Sequence, residues 1–280
     1  MATPLFGMRD SIARRLALKV FRFFNPGDIS IKHHWTGDTF RLHSFKHKGY
    51  WWHGKRREYD TILRFHNLIK AGDTVVEVGG HIGYFAVLYT KLIETNGQLF
   101  VFEPGENNLP YLQRNLSGKT NAQVIEKAVS NEEGEVTFWL EDLSGQNNSI
   151  IEDYHLLDGN IALSGLGDSV IKRAVHVPCT TLDHFAAELA AQGKTIDFIK
   201  IDVEGAELLV LQGASALLQT KQTALMVEVT REYQAILDLM KAANYHVYFA
   251  DGSPVTSPDN MEGNIFCLPN AQSVKRFEGN

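Results

Sequence analysis

The sequence predicts an α/β fold, a doubly wound and mostly parallel sheet with a final antiparallel strand, preceded by a basic N-terminal extension. Three observations predict it. From Asp73 onward, short apolar runs alternate with segments of helical periodicity. The last two apolar runs, Tyr245–Phe249 and Asn264–Leu268, are joined by a Gly/Pro/Ser/Asp loop with no helix, as antiparallel neighbours are. Charge also divides the chain: residues 1–70 hold 14 Lys+Arg and 5 Asp+Glu, and the other 210 hold 13 and 28. The expected organisation is an extension over 1–70, serving the acceptor side or oligomerisation, and a ligand-binding domain over 71–280.

In the extension, Ile12, Leu16, Val20 and Phe23 share one face of an amphipathic helix over 8–24, which docks on the body or lies at a membrane interface. Asn25-Pro26-Gly27-Asp28 ends it. Strands at Ser30–His34 and Thr39–Phe45, the aromatic cluster Tyr50, Trp51, Trp52, and a helix near Tyr59–Lys70 follow. The body then reads strand 73–79, helix 81–94, strand 98–103, helix 107–116, strand 122–129 and a side hairpin strand 135–140. Residues 141–170 lack periodicity, and a long irregular piece inside a compact domain is usually functional. A helix from Thr180 or Thr181 to Gln192, strand 196–202, helix 206–219, strand 223–229 and helix 232–243 complete the alternation.

Composition narrows the classes. Hydrophobic residues at 44% and charged residues at 21% are globular values. No apolar run reaches the roughly 18 residues of a membrane span. Cys179 and Cys267 are too few for a disulfide framework or a thiolate zinc site and read as buried thiols. No signal-peptide plan precedes the body, so a reducing, cytoplasmic location is expected. The basic head could suit an anionic partner, but no RNA-binding motif accompanies it, and mutual attraction of head and body is the preferred reading; no nucleic acid is expected. Peripheral membrane contact and homo-oligomerisation stay open.

Ligands of such sheets bind beyond the carboxyl ends of the strands. The first strand ends in Glu77-Val78-Gly79-Gly80-His81-Ile82-Gly83, where glycines let a ligand approach bare amides. An acid two residues before the first glycine is awkward for pyrophosphate and suits an amine and a sulfonium. The second strand ends in Phe102-Glu103-Pro104, where a carboxylate can accept both ribose hydroxyls of an adenosine. Together these features point to S-adenosylmethionine rather than NAD.

The segments DTVVEVGGHIGYFA (73–86), VFEP (101–104), KAVSNEEGEVTFW (127–139), TTLDHF (180–185), IDFIKIDVEGAELLVLQGA (196–214) and LMVEV (225–229) resemble, in order, the FkbM family of S-adenosylmethionine-dependent methyltransferases. KIDVEGAE is the most specific of them, and Gly80-His81 departs from the family's more usual Ala-Asn. The resemblance implies a class I, Rossmann-like fold and methyl transfer to oxygen, commonly on sugars, glycoconjugates or glycosylated natural products. It implies a cofactor site formed by Glu77, Gly79, Gly80, His81, Gly83, Tyr84, Glu103, Pro104, Asn107, Ala128 and Asp202, with Ala128 near adenine.

An alcohol acceptor must be held in line and relieved of its proton. Asp202, Glu204 and Glu228 stand at or just past strand ends and are the carboxylates placed to do this. Asp202 and Glu228 can equally hold a divalent cation such as Mg, and Glu204 can instead be a helix-capping acid. Lys200 reads as the partner of a nearby acid, and His53 is the base expected from the extension. Trp51, Trp52 and Tyr59 offer a sugar-stacking surface or a core patch, and Gln146 and Asn147 carry amides that read hydroxyls or belong to an ordinary loop. Two other classes compete: a nicotinamide-dependent oxidoreductase on the same sheet, and a non-catalytic interaction module working through the basic segment.

Overall fold

The computed structural model describes residues 25–152, 170–259 and 261–279. The helix expected over 8–24 and most of the irregular 141–170 stretch lie outside them. The chain enters through a hairpin of β1 (Asp28–Lys32) and β2 (Thr39–His43), paired Ile29 to Leu42 and Ile31 to Phe40. Period-2 alternation buries Phe40 and Leu42 of β2. A short helix α1 (Lys48–His53) turns only Tyr50 fully inward, and α2 (Tyr59–Leu68) buries Ile62, Phe65 and Leu68 along one stripe.

The central sheet is built from β3 (Thr74–Val78), β4 (Gln98–Phe102), β5 (Ala122–Ile125), β9 (Phe198–Ile201), β10 (Ala224–Val229), β11 (His246–Phe249) and β12 (Gly263–Leu268). Their order is β11-β12-β10-β9-β3-β4-β5, with β12 alone running antiparallel to its neighbours. This is the expected doubly wound sheet with an antiparallel ending. The further helices among the described residues are α3 (Tyr84–Leu92), α4 (Leu109–Asn115), α5 (Leu182–Ala190), α6 (Glu207–Gln212), α7 (Ser215–Gln219), α8 (Tyr233–Ala242) and α9 (Ala271–Glu278).

Each strand face buries into its own apolar cluster. Val76, Ile199, Leu225 and Val227 meet α5, α6 and α8 on one side. Val75, Phe198 and Met226 meet Phe40, Leu42, Tyr50 and Phe65 on the other, so the described part of the extension shares the core of the sheet. The same alternation sends Glu77, Lys200 and Glu228 to the extension's side, Glu77 level with Lys200 in the register.

Four local readings change. The stretch 122–129 is two strands: β5 stays in the main sheet, while β6 (Ala128–Val129) leaves for a three-stranded side sheet, where it pairs with the strand Lys172–Thr180. There β7 (Gly134–Glu141) pairs antiparallel with β8 (Lys172–Thr180), a strand not expected from the sequence. The helix over 206–219 breaks at Gly213, where a Cβ would stand 2.1 Å from the Ser130 carbonyl oxygen; the backbones approach too closely for one continuous helix of larger residues. Helix α9 is a further addition, started by a capping box of Asn270 and Ser273.

Candidate active site

Beyond the carboxyl ends of β3, β4, β9 and β10 lies a cavity of ≈ 270 Å³. Its floor follows from register. Gly79 packs so closely on the backbone after β9 that a Cβ there would stand 1.8 Å from the Asp202 carbonyl oxygen. Glu228 pairs directly with Asn264 of β12, while Val227 pairs with Ile201, the residue before Asp202. Asn264, Glu228 and Asp202 therefore form one row across three strand ends.

Charge in this row is tightly arranged. Lys200 Nζ lies 2.9 Å from Asp202 Oδ2 and 3.5 Å from Glu77 Oε1, and also donates to the Gly79 carbonyl at 3.2 Å. Burial works against this ammonium, but Asp202 and then Glu77 outweigh it and hold its proton more tightly than usual. Burial pushes the Glu77 carboxyl up to about 7 against the pull of Lys200, and Glu77 Oε2 is buried without a partner. The Glu228 carboxyl is held well above the usual carboxylate range, first by the like charge of Asp202 and then by burial.

Glu103 is set by three donors. Its Oε2 accepts from the His81 amide at 2.7 Å, and its Oε1 accepts from the Gly105 amide at 2.9 Å and Asn108 Nδ2 at 3.2 Å. Burial still raises it to about 7. His81, at φ 47°, braces rather than reacts. Its Nε2 donates to the Ser144 carbonyl at 3.2 Å, leaving Nδ1 to accept from the Tyr50 hydroxyl at 2.9 Å. His47 donates to the same carbonyl at 3.2 Å. Burial holds both rings neutral, at about 3 for His81 and about 2 for His47. The segment after β7 is thereby tied over the strand ends, further fixed by Asn108 Nδ2 to the Gly145 carbonyl at 3.0 Å and Ser149 Oγ to the Glu204 carbonyl at 2.7 Å.

Of the residues expected at the cofactor, Glu77, Gly79, Gly80, His81, Tyr84, Glu103, Pro104, Ala128 and Asp202 line this cavity. Gly83 and Asn107 do not: Gly83 caps α3 at φ 86°, and Asn107 bonds the Glu141 carbonyl and Asn148, while its neighbour Asn108 takes the lining position. Glu204, Glu228, Gln146 and Asn147 also line it. Glu204 does not cap the following helix, because α6 starts later and Glu207 supplies the acid, accepting from the Gly205 amide at 2.8 Å.

His53, Trp51, Trp52 and Tyr59 stand outside the cavity. A short helix can turn only one side inward, and α1 turns Tyr50. Trp52 is 72% exposed, Tyr59 packs at a tilt against Trp35, and the Trp51 indole donates to the Ser44 carbonyl at 2.8 Å. Absent from the expected set are Arg57, Glu58 and Asn264, all lining residues. In sequence, Arg57 hides in the run Lys55-Arg56-Arg57; Asn264 was reachable by pairing the last strand against Glu228.

A model of the methyltransferase FkbM domain matches residues 77–247. The chain belongs to the FkbM methyltransferase family. Among solved structures, the chain is similar to methyltransferase FkbM from Methylobacillus flagellatus KT, with 16% identity, TM-score 0.44, and 70% of this chain against 44% of that one. It thus spans under half the length of that protein. It is also similar to Aeropyrum pernix fibrillarin with natively bound S-adenosyl-L-methionine (10% identity, TM-score 0.42, 76% of this chain and 74% of that one). A third is a putative rRNA methylase from Clostridium thermocellum (11%, 0.40, 76% and 93%). No curated protein matches significantly.

The site fits S-adenosylmethionine: the unpartnered Glu77 Oε2 suits its ammonium, and Gly79 and Gly80 line the cavity beside it. The family match, with its methyltransferase domain, speaks against the nicotinamide alternative. Among the described residues no group of three or more His, Cys, Asp or Glu side chains is arranged to hold a divalent cation, and Asp202 is paired with Lys200. Nor, among those residues, is any helix long and apolar enough to cross a membrane.

Proposed function

We propose that this FkbM methyltransferase methylates a hydroxyl oxygen of a sugar or glycoconjugate, with Glu228 taking the hydroxyl proton. One observation carries the reading: two carboxylates, Asp202 and Glu228, are crowded at adjacent strand ends, and the first raises the proton affinity of the second. When bound, S-adenosylmethionine supplies an electrophilic methyl group. Glu77 and Glu103 would hold its ammonium and ribose, and Ala128, which lines the cavity, would face its base. Asp202, held by Lys200, keeps Glu228 a strong proton acceptor, and a positioned general base contributes about 10²–10⁴-fold. A hydroxyl acceptor needs such a base. Tyr50, Gln146 and Asn264 give this end neutral polar groups, which favours a polyhydroxylated ligand over an apolar one.

The test incubates the protein and S-adenosylmethionine with monosaccharides, glycosides and sugar nucleotides, following methoxy signals by NMR. An O-methyl product that Glu228→Gln reduces at least 100-fold in kcat supports the reading. Methylation confined to nitrogen, or a Glu228→Gln enzyme with full kcat, overturns it.

A further inference from the structure

S-adenosylmethionine ends in an amino acid, so the reading above places a carboxylate as well as an ammonium beside the acids Glu77 and Asp202. That carboxylate needs a cation. Three cations line the cavity. Lys127 is exposed, and Lys200 is already shared between Asp202 and Glu77. Arg57 differs from both. Its guanidinium makes no hydrogen bond or ion pair among the described residues, and its Nε is buried with no partner. The group is held, not loose: its central carbon sits 4.5 Å from the centroid of the Tyr50 ring, the ring whose hydroxyl braces His81 in the glycine loop.

A guanidinium with a buried, unpartnered Nε is costly unless a ligand completes it, and its planar fork matches a carboxylate. Glu58, Glu228 and Asp202 stabilise the charge from a distance, yet none pairs with it. We propose that Arg57 clamps the carboxylate of the amino-acid end of S-adenosylmethionine; this rests on the cofactor reading of the same site. The fork leaves Glu77, whose Oε2 has no partner, for the ammonium, so the two ends of the zwitterion meet opposite charges. A carboxylate on the acceptor is the other source of the same chemistry, and the test separates them.

Calorimetric binding of S-adenosylhomocysteine and of its decarboxylated analogue is measured for wild type, Arg57→Met and Arg57→Lys, with circular dichroism to check folding. Arg57→Met weakens S-adenosylhomocysteine about 10- to 100-fold, the range for a charged hydrogen-bonded contact. Wild type loses a similar factor with the decarboxylated analogue, the two losses do not add, and Arg57→Lys falls between. Additive losses overturn the clamp. So does unchanged S-adenosylhomocysteine binding by Arg57→Met with a raised acceptor KM, which assigns the guanidinium to the acceptor. If Arg57→Met does not fold, the Arg57→Lys pair decides by the same criterion. Wild type that binds neither molecule removes the cofactor reading and the clamp with it.

Discussion

Lys200 and Asp202, two residues apart at the end of one strand, close an ion pair of 2.9 Å beneath the cavity, with the lysine side chain only 2% exposed. The pair joins the fold to the chemistry, because the same ammonium also faces Glu77 on the neighbouring strand. Removing one member of a buried pair leaves an uncompensated charge, at a cost of about 3–5 kcal/mol. Lys200→Met is therefore expected to lower stability by about that amount in urea unfolding, and adding Glu77→Gln to recover part of it. Lys200→Met with wild-type stability would show the pair to be structurally idle.

Asp202 should set the pH at which the enzyme works. Its charge is the leading cause of the raised Glu228 carboxyl, so a neutral residue there lets Glu228 ionise at lower pH. In the wild type kcat/KM rises with pH as Glu228 loses its proton. In Asp202→Asn the acidic limb moves down by about one pH unit or more, even if the plateau falls. The profile is read from initial rates at saturating cofactor; an unmoved limb would mean that Glu228 is not the group being titrated.

Much of this was legible in the sequence because strands report themselves twice, by alternation and by the acids at their ends. Glu77, Glu103, Asp202 and Glu228 were found that way, and all four line the cavity. Which residue of the extension's short helix reaches the cavity was not, because helical phase over six residues is too short to read: α1 could have turned Trp51 or Trp52 inward as easily as Tyr50. Strand β8 escaped because Pro178 interrupts an otherwise alternating Val175, Val177, Cys179 run, and proline usually argues against a strand. The break at Gly213 depends on the Ser130 backbone, over eighty residues away in sequence, which no local pattern reports.

Gly79 is the position where backbone and function meet. Its φ of 86° disfavours any side chain, and a Cβ would stand 1.8 Å from the Asp202 carbonyl oxygen. Gly79→Ala must separate the ends of β3 and β9 to fold. The expected result is a stability loss of at least about 1–3 kcal/mol by thermal unfolding, together with loss of S-adenosylhomocysteine binding. Binding that survives unchanged would place the cofactor elsewhere.

Glu103 gives a pH signature independent of turnover. Burial raises its carboxyl to about 7, whereas an unfolded chain ionises it near 4.5. Between these values the folded state holds more protons than the unfolded state, so stability contributed by this group falls as pH rises through the window. A shift of this size corresponds to roughly 3 kcal/mol. His47 and His81 act in the opposite sense, because burial holds their folded-state values far below 6.5, and acid below that point favours unfolding. Wild type alone therefore shows a blunted profile. Glu103→Gln isolates the term: the amide loses part of the Gly105, Asn108 and His81 bonding at every pH but does not ionise. The stability advantage of wild type over Glu103→Gln should accordingly shrink between pH 4.5 and 7 and stay level above it, measured by urea unfolding across that range. An advantage that grows with pH would mean that the folded protein prefers the ionised carboxylate, with the three donors outweighing burial.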